Sequence, residues 1–200
     1  MNLPIVAYGH KMLRQKCGYI SQDYPNLQKL IDDLWETMEN ANGCGLAAPQ
    51  IGKPVRLFVV NSKTTFDNLD ESKRRFYYVE EDTGIIETFI NAKIIESSQD
   101  LWADDEGCLS IPGLSREVER PWTITIEYFN RSFEKRISTF GGATARMVQH
   151  EYDHTEGILY IDYLPPLTRR LVEGKLKRIA RGLVKAEYPM LADGKLASAD

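Results

Sequence analysis

Apolar positions change their spacing several times along the 200-residue chain, and each change marks an element. Leu27, Leu30, Ile31, Leu34, Met38 and Ala41 recur at the 3.6-residue period of an amphipathic helix. That helix is expected from Tyr24, with Pro25 in its first turn and Asn42-Gly43 as its stop. Residues 55–60 form a short apolar run, the mark of a buried strand. Residues 62–83 are polar and charged, and are expected to cross the surface as a partly disordered excursion. One or two strands are expected over 85–95, and the alternation over 122–129 predicts a half-buried strand. Residues 134–140 are expected to pair with it across a turn at Asn130, Arg131 and Ser132. Gly141-Gly142 then opens a helix that should end near Gly157. A last helix is expected from Pro165-Pro166 to about Glu187, with Leu167, Leu171, Leu176, Ile179 and Leu183 facing the core.

Composition adds bounds. A chain of this length, 42% hydrophobic and 27% charged, has room for one proper core. No apolar run approaches the ~20 residues of a membrane span. The opening Met1-Asn-Leu-Pro-Ile-Val6 lacks the basic and apolar regions of a secretory signal, and it is not an Arg-rich transit peptide. A cytoplasmic protein is expected. Three scattered cysteines, Cys17, Cys44 and Cys108, do not make a disulfide framework and suit a reducing compartment. The net charge of −4 argues against a general DNA or RNA binder.

The densest chemistry lies in Gln149-His-Glu-Tyr-Asp-His154. Residues four apart share one helix face, so His150 and His154 can grip one metal ion while Glu151 reaches a water beside it. Many hydrolases of different folds share H-E-x-x-H, and the third ligand discriminates among them. A catalytic site needs three protein ligands and an open position. His10 stands alone near the N-terminus and reads as a surface or hydrogen-bonded histidine. That leaves a cysteine or a carboxylate. Cys108, in Glu106-Gly-Cys-Leu-Ser-Ile-Pro112, follows a glycine that allows close backbone approach, and Pro112 is expected to end any strand there. An isolated cysteine is usually a core residue. A two-histidine site lacking a partner favours ligation.

Three segments together carry a resemblance. Gly43-Cys-Gly-Leu-Ala-Ala-Pro-Gln50 follows G-x-G-x-A-A-x-Q, Glu106-Gly-Cys-Leu-Ser110 follows E-G-C-L-S, and Gln149 to His154 follows Q-H-E-x-D-H. In that order they resemble the signature motifs of the peptide deformylases, over most of the chain. The resemblance implies one divalent metal held by Cys108, His150 and His154, with Glu151 as the catalytic acid/base. It implies Gln50 and the backbone N–H of Leu109 as donors to the developing oxyanion, and Gly45 as a substrate-binding residue in a strand-addition mode. The implied metal is Fe(II) in the cell, with zinc and other divalent ions able to occupy the site. The implied reaction is hydrolysis of the formyl group from formylmethionyl nascent chains. A zinc endopeptidase is the alternative reading, and a closed, noncatalytic metal-stabilised binding domain is a second.

The expected fold class is therefore α+β: antiparallel strands around a central metal-binding helix, with an additional N-terminal helix and a C-terminal helix. One catalytic domain over 1–187 and a flexible tail over 188–200 are expected. Two features depart from the family pattern. Residues 62–83 are longer than the family resemblance implies a minimal member needs, and no role is transferred to them. Cys44 occupies a variable motif position, where an inert packing role is expected because no basic partner is evident. The last helix carries Arg169, Arg170, Lys175, Lys177, Arg178, Arg181 and Lys185 against Glu173 and Glu187. It reads as a solvated face or, functionally, as an electrostatic contact with ribosomal RNA.

Overall fold

The computed structural model describes residues 1–192 and 195–197. Its largest sheet is antiparallel, in the order β2 (Gly45–Ala47), β3 (Leu57–Asn61), β4 (Ile86–Ser97), β7 (Thr123–Phe129) and β8 (Lys135–Gly141). The expected alternation holds in β7, where Ile124, Ile126 and Tyr128 point into the core. On that face they meet Phe58, Phe89 and two residues of α4 (Gly142–Glu156), Ala145 and Val148. The opposite side is covered by α1 (Leu27–Asn40), whose Leu30, Ile31, Leu34 and Met38 pack on Leu46, Leu57 and Val59. The helix begins at Leu27 rather than Tyr24, because Asn26 adopts a left-handed conformation before it (φ 57°).

The central helix is bounded by glycines for a steric reason. Gly142 has φ +54°, and a Cβ there would overlap the carbonyl oxygen of Tyr77. At the other end Gly157 (φ 78°) is the left-handed cap, its N–H donating to the Asp153 and His154 carbonyls. Between these caps α4 is clamped on two sides. The sheet takes its apolar face, and a long hairpin of β5 (Leu101–Cys108) and β6 (Ile111–Pro121) takes its polar face.

That hairpin was not foreseen. Its strands carry Asp104, Asp105, Glu106, Arg116, Glu117 and Arg120, so they lack the apolar alternation that announces a strand. Pro112 does not end a strand but lies within β6, beside the register shift at Gly107 and Cys108, where a missing N–H disturbs no regular ladder.

Residues 62–83 are also ordered differently from expectation. They form α2 (Ser62–Asn68) and α3 (Glu71–Tyr77), the latter capped by Asp70, whose carboxylate accepts from Lys73 N at 2.9 Å. The last helix, α5 (Pro166–Ala180), stops well before Glu187, because Gly182 turns the chain at φ 69°. Its buried stripe is Val172, Leu176 and Ile179, whereas Leu167 (72% exposed), Leu171 (77%) and Leu183 (59%) face outward. Residues 188–192, expected as part of a flexible tail, are packed. Met190 and Ala192 are buried in β9 (Met190–Ala192), which pairs in parallel with β1 (Ile5–Val6) and antiparallel with β10 (Lys195–Ala197). The rest of the tail expectation, residues 193, 194 and 198–200, lies outside the described residues.

Candidate metal centre

Cys108, at the end of β5, meets the two histidines of α4. Its Sγ lies 3.2 Å from His154 Nε2. One ligand atom from each of Cys108, His150 and His154 falls within 4.8 Å of the others. A tetrahedral ion with metal–sulfur distances of ~2.3 Å and metal–nitrogen distances of ~2.1 Å holds its ligand atoms roughly 3.3–3.8 Å apart, so the cluster needs only small adjustments to close on a cation. One thiolate and two imidazoles suit a borderline or soft divalent ion. Among the described residues no fourth ligand-type side chain joins the group.

The surroundings fit a charged occupant. Glu151 is buried, and its Oε2 has no hydrogen-bond partner among the described residues. Burial pushes its carboxyl up to about 7. Gly45, an edge residue of β2, lies against it: a Cβ at position 45 would sit 2.5 Å from Glu151 Oε1. Gln50 is buried too. Its Oε1 accepts from Ala47 N at 2.8 Å, while its Nε2 donates to Ser110 Oγ at 3.2 Å and points to Cys108 Sγ at 3.6 Å. Gln50 thus fastens its loop and also presents a donor toward the cluster. Leu109 lines the same cavity, with its carbonyl held by the Tyr188 hydroxyl at 2.8 Å.

Behind the histidines lies a buried ionic network that sequence reasoning missed. Arg120 donates Nε and Nη2 to the two oxygens of Glu106, at 2.5 and 2.9 Å, and Nη1 to Asp153 Oδ2 at 2.7 Å. Arg146 adds a third donor to Glu106 Oε1 at 2.6 Å. Glu106 then faces His150 Nδ1 at 3.0 Å. Burial opposes ionisation of Glu106, but the Arg120 hydrogen bonds and His150 outweigh it and hold the carboxyl far below the usual range. Glu106 belonged to a recognised motif and offered a hint of its importance. Nothing local marked Arg120, on the return strand of the hairpin.

The other expectations separate cleanly. His10 is a capping residue, its Nδ1 accepting from Met12 N at 3.2 Å, and it is not part of the cluster. Cys44 lines the cavity with its side chain exposed rather than packed, and loss of hydration near the cavity wall, then the Glu151 charge, push its thiol up to about 11. The cavity measures about 870 Å³ and opens above Cys108, His150 and Glu151.

A family model described as polypeptide deformylase matches residues 2–170. The chain belongs to the polypeptide deformylase family. A peptide deformylase of Christiangramia forsetii is 45% identical over 192 residues, covering 95% of each chain. One from Flavobacterium psychrophilum is 43% identical over 190 residues, covering 95% of this chain and 96% of the relative. The crystal structure of the Ehrlichia chaffeensis peptide deformylase superposes with a TM-score of 0.77 at 32% identity, over 89% of this chain and 96% of that one. The deformylase fold accounts for the meeting of Cys108 with the His150–His154 pair, a convergence that disfavours the zinc endopeptidase reading.

Proposed function

We propose that the chain acts as one catalytic unit, expected over residues 1–187 and extended by the packed residues 188–192, that hydrolyses the N-terminal formyl group of formylmethionyl chains, with Cys108, His150 and His154 holding one divalent ion. The observation that carries this reading is the orphaned, buried Glu151 carboxylate beside a three-ligand cluster at the foot of an open cavity. A divalent ion there supplies a water of lowered pKa and a Lewis acid for the formyl carbonyl. Glu151 takes the attacking water's proton and delivers it to the departing amine; its raised pKa suits an exchange near neutrality. Gln50 Nε2 and the Leu109 N–H donate to the formyl oxygen as negative charge develops, each at about 3–4 kcal/mol where such a donor is well placed. Gly45 leaves room beside Glu151 for the substrate main chain along the free edge of β2.

The resident ion in the cell is Fe(II) in this reading, and zinc or another divalent ion can replace it. The substrates are nascent chains, so the protein works in the cytoplasm. No helix among the described residues is long and apolar enough to cross a membrane. Arg178 and Arg181 are exposed, as an electrostatic ribosome contact through the last helix requires.

The deciding experiment measures formate release from formyl-Met-Ala-Ser by metal-free, iron-loaded and zinc-loaded protein. Release is expected only in loaded states; no release in any state overturns the assignment. Cys108→Ala should lose the metal, whereas Glu151→Ala should keep it and fall about 10²–10⁴-fold in rate. Ribosome binding should weaken steeply with salt, and charge reversal at Arg178 and Arg181 should abolish it.

A further inference from the structure

The cavity runs along α4 from the metal cluster toward the start of the helix. Its lining there includes Glu151, His150, Met147, Arg146 and Ala143, one face at three- and four-residue spacing. At 1.5 Å per residue, Ala143 lies about 10 Å from His150 along the axis. The segment 62–83 also lines the cavity, through Thr65, Leu69, Lys73 and Tyr77, each four residues from the next. Tyr77 stands against the first turn of α4, where a Cβ on Gly142 would overlap its carbonyl oxygen. Its ring packs on Trp102 at 6.1 Å, and Trp102 in turn lies under the Arg146 guanidinium at 4.2 Å. The base of α2 is pinned by the 2.9 Å contact of Ser62 Oγ with Thr144 Oγ1, and by Tyr78 donating its hydroxyl to the Ser62 carbonyl at 3.0 Å. This wall is braced on the helix that carries the histidines.

Resting on the deformylase reading, we propose that α2 and α3 form the floor of the pocket for the first substrate side chain, and that Leu69 and Tyr77 set the side-chain length it accepts. Six bonds separate a formyl carbon from the terminal methyl of methionine, roughly 8 Å when extended. That reach is most of the ~10 Å that separates His150 from Ala143 along the helix axis. Leu69 and Tyr77 are half-buried and largely apolar, as contact with a thioether requires, and Lys73 is exposed at the rim. Selection by an apolar floor amounts to roughly 10–200-fold per methylene.

The test compares kcat/KM for formyl-X-Ala-Ser, where X is norvaline, norleucine, methionine or 2-aminooctanoate, in the wild type, Leu69→Ala and Leu69→Phe. Leu69→Ala should raise the 2-aminooctanoate to norleucine ratio at least tenfold. Leu69→Phe should raise the norvaline to norleucine ratio by a similar factor. These opposite shifts in selectivity are not produced by general destabilisation. Ratios within twofold of wild type in both variants overturn the floor assignment while leaving deformylation intact. Absence of formate release from every substrate by the metal-loaded wild type overturns the catalytic reading, and the floor with it.

Discussion

Glu106 Oε2 accepts a hydrogen bond from His150 Nδ1 at 3.0 Å. An ionised carboxylate can only accept, so Nδ1 carries the proton and Nε2 is the nitrogen left for a cation. The same carboxylate is fixed by Arg120 and Arg146. Ring orientation at the metal centre is therefore set from the hairpin and not by α4 alone.

Replacing Glu106 with glutamine keeps the shape and removes the charge. Metal retention should weaken about 10–100-fold in chelator competition. Stability should also drop, by as much as about 3–5 kcal/mol, because two buried guanidiniums lose their shared carboxylate. Unchanged metal affinity would contradict the orienting role.

Gly45→Ala tests the packing against Glu151. The added methyl would sit 2.5 Å from Oε1, so the carboxylate must move. A displacement on the order of 1 Å costs about 10²-fold in rate. Formate release should fall by that order while metal content and the circular dichroism spectrum stay at wild-type levels. Full activity would show that the carboxylate position is not critical.

Removing the metal should lower thermal stability along with activity. An ion present at 1,000 times its Kd stabilises the folded state by about 4 kcal/mol. A chelator should therefore bring down the Tm seen by calorimetry, and re-addition of iron or zinc should restore it. An identical Tm in both states would mean that the cluster does not retain an ion.

Asp162 links the N-terminal segment to the last helix, pairing with Arg14 and with Arg169 at 3.3 Å. Burial acts to raise its pKa, but the Arg14 hydrogen bonds and the Leu159 N–H outweigh it and leave the pKa below the ordinary value. A depressed carboxyl stabilises the fold above its unfolded pKa of about 3.9, and that stability is lost as pH falls through the lower folded value. The gap between wild type and Asp162→Asn in urea melts should be about 1 kcal/mol at pH 7 and should shrink as pH falls below about 4. A gap constant between pH 7 and pH 3 would contradict this.

Legibility in the sequence followed the range of the forces involved. The helix over Leu27–Asn40 and the strand over Thr123–Phe129 were readable because each has one buried face and a clean period. The hairpin was not, because its inward positions mix Glu106, Cys108 and Arg120 with a few irregularly spaced aliphatic residues, Ile111, Leu114 and Val118. Leu167 and Leu171 misled because their spacing matches a core stripe, while packing selected Val172, Leu176 and Ile179. Residues 62–83 read as surface because their polar side chains dominate, yet a few half-buried groups, Leu69 and Tyr77 among them, turn inward to the cavity.

By itself the sequence determined what recurs within a few residues: the helical spacing of His150, Glu151 and His154, the glycines that bound their helix, and the three motifs that mark the family. Those features follow from backbone geometry, which repeats every turn regardless of context. Tertiary structure alone decided which distant side chains close on that helix. Cys108, Glu106 and Arg120 arrive from a hairpin whose register sets their reach, and Leu69, just past α2, and Tyr77, at the end of α3, arrive from the segment seated on its first turn. Such meetings depend on packing between segments far apart in the chain, and no local period encodes them.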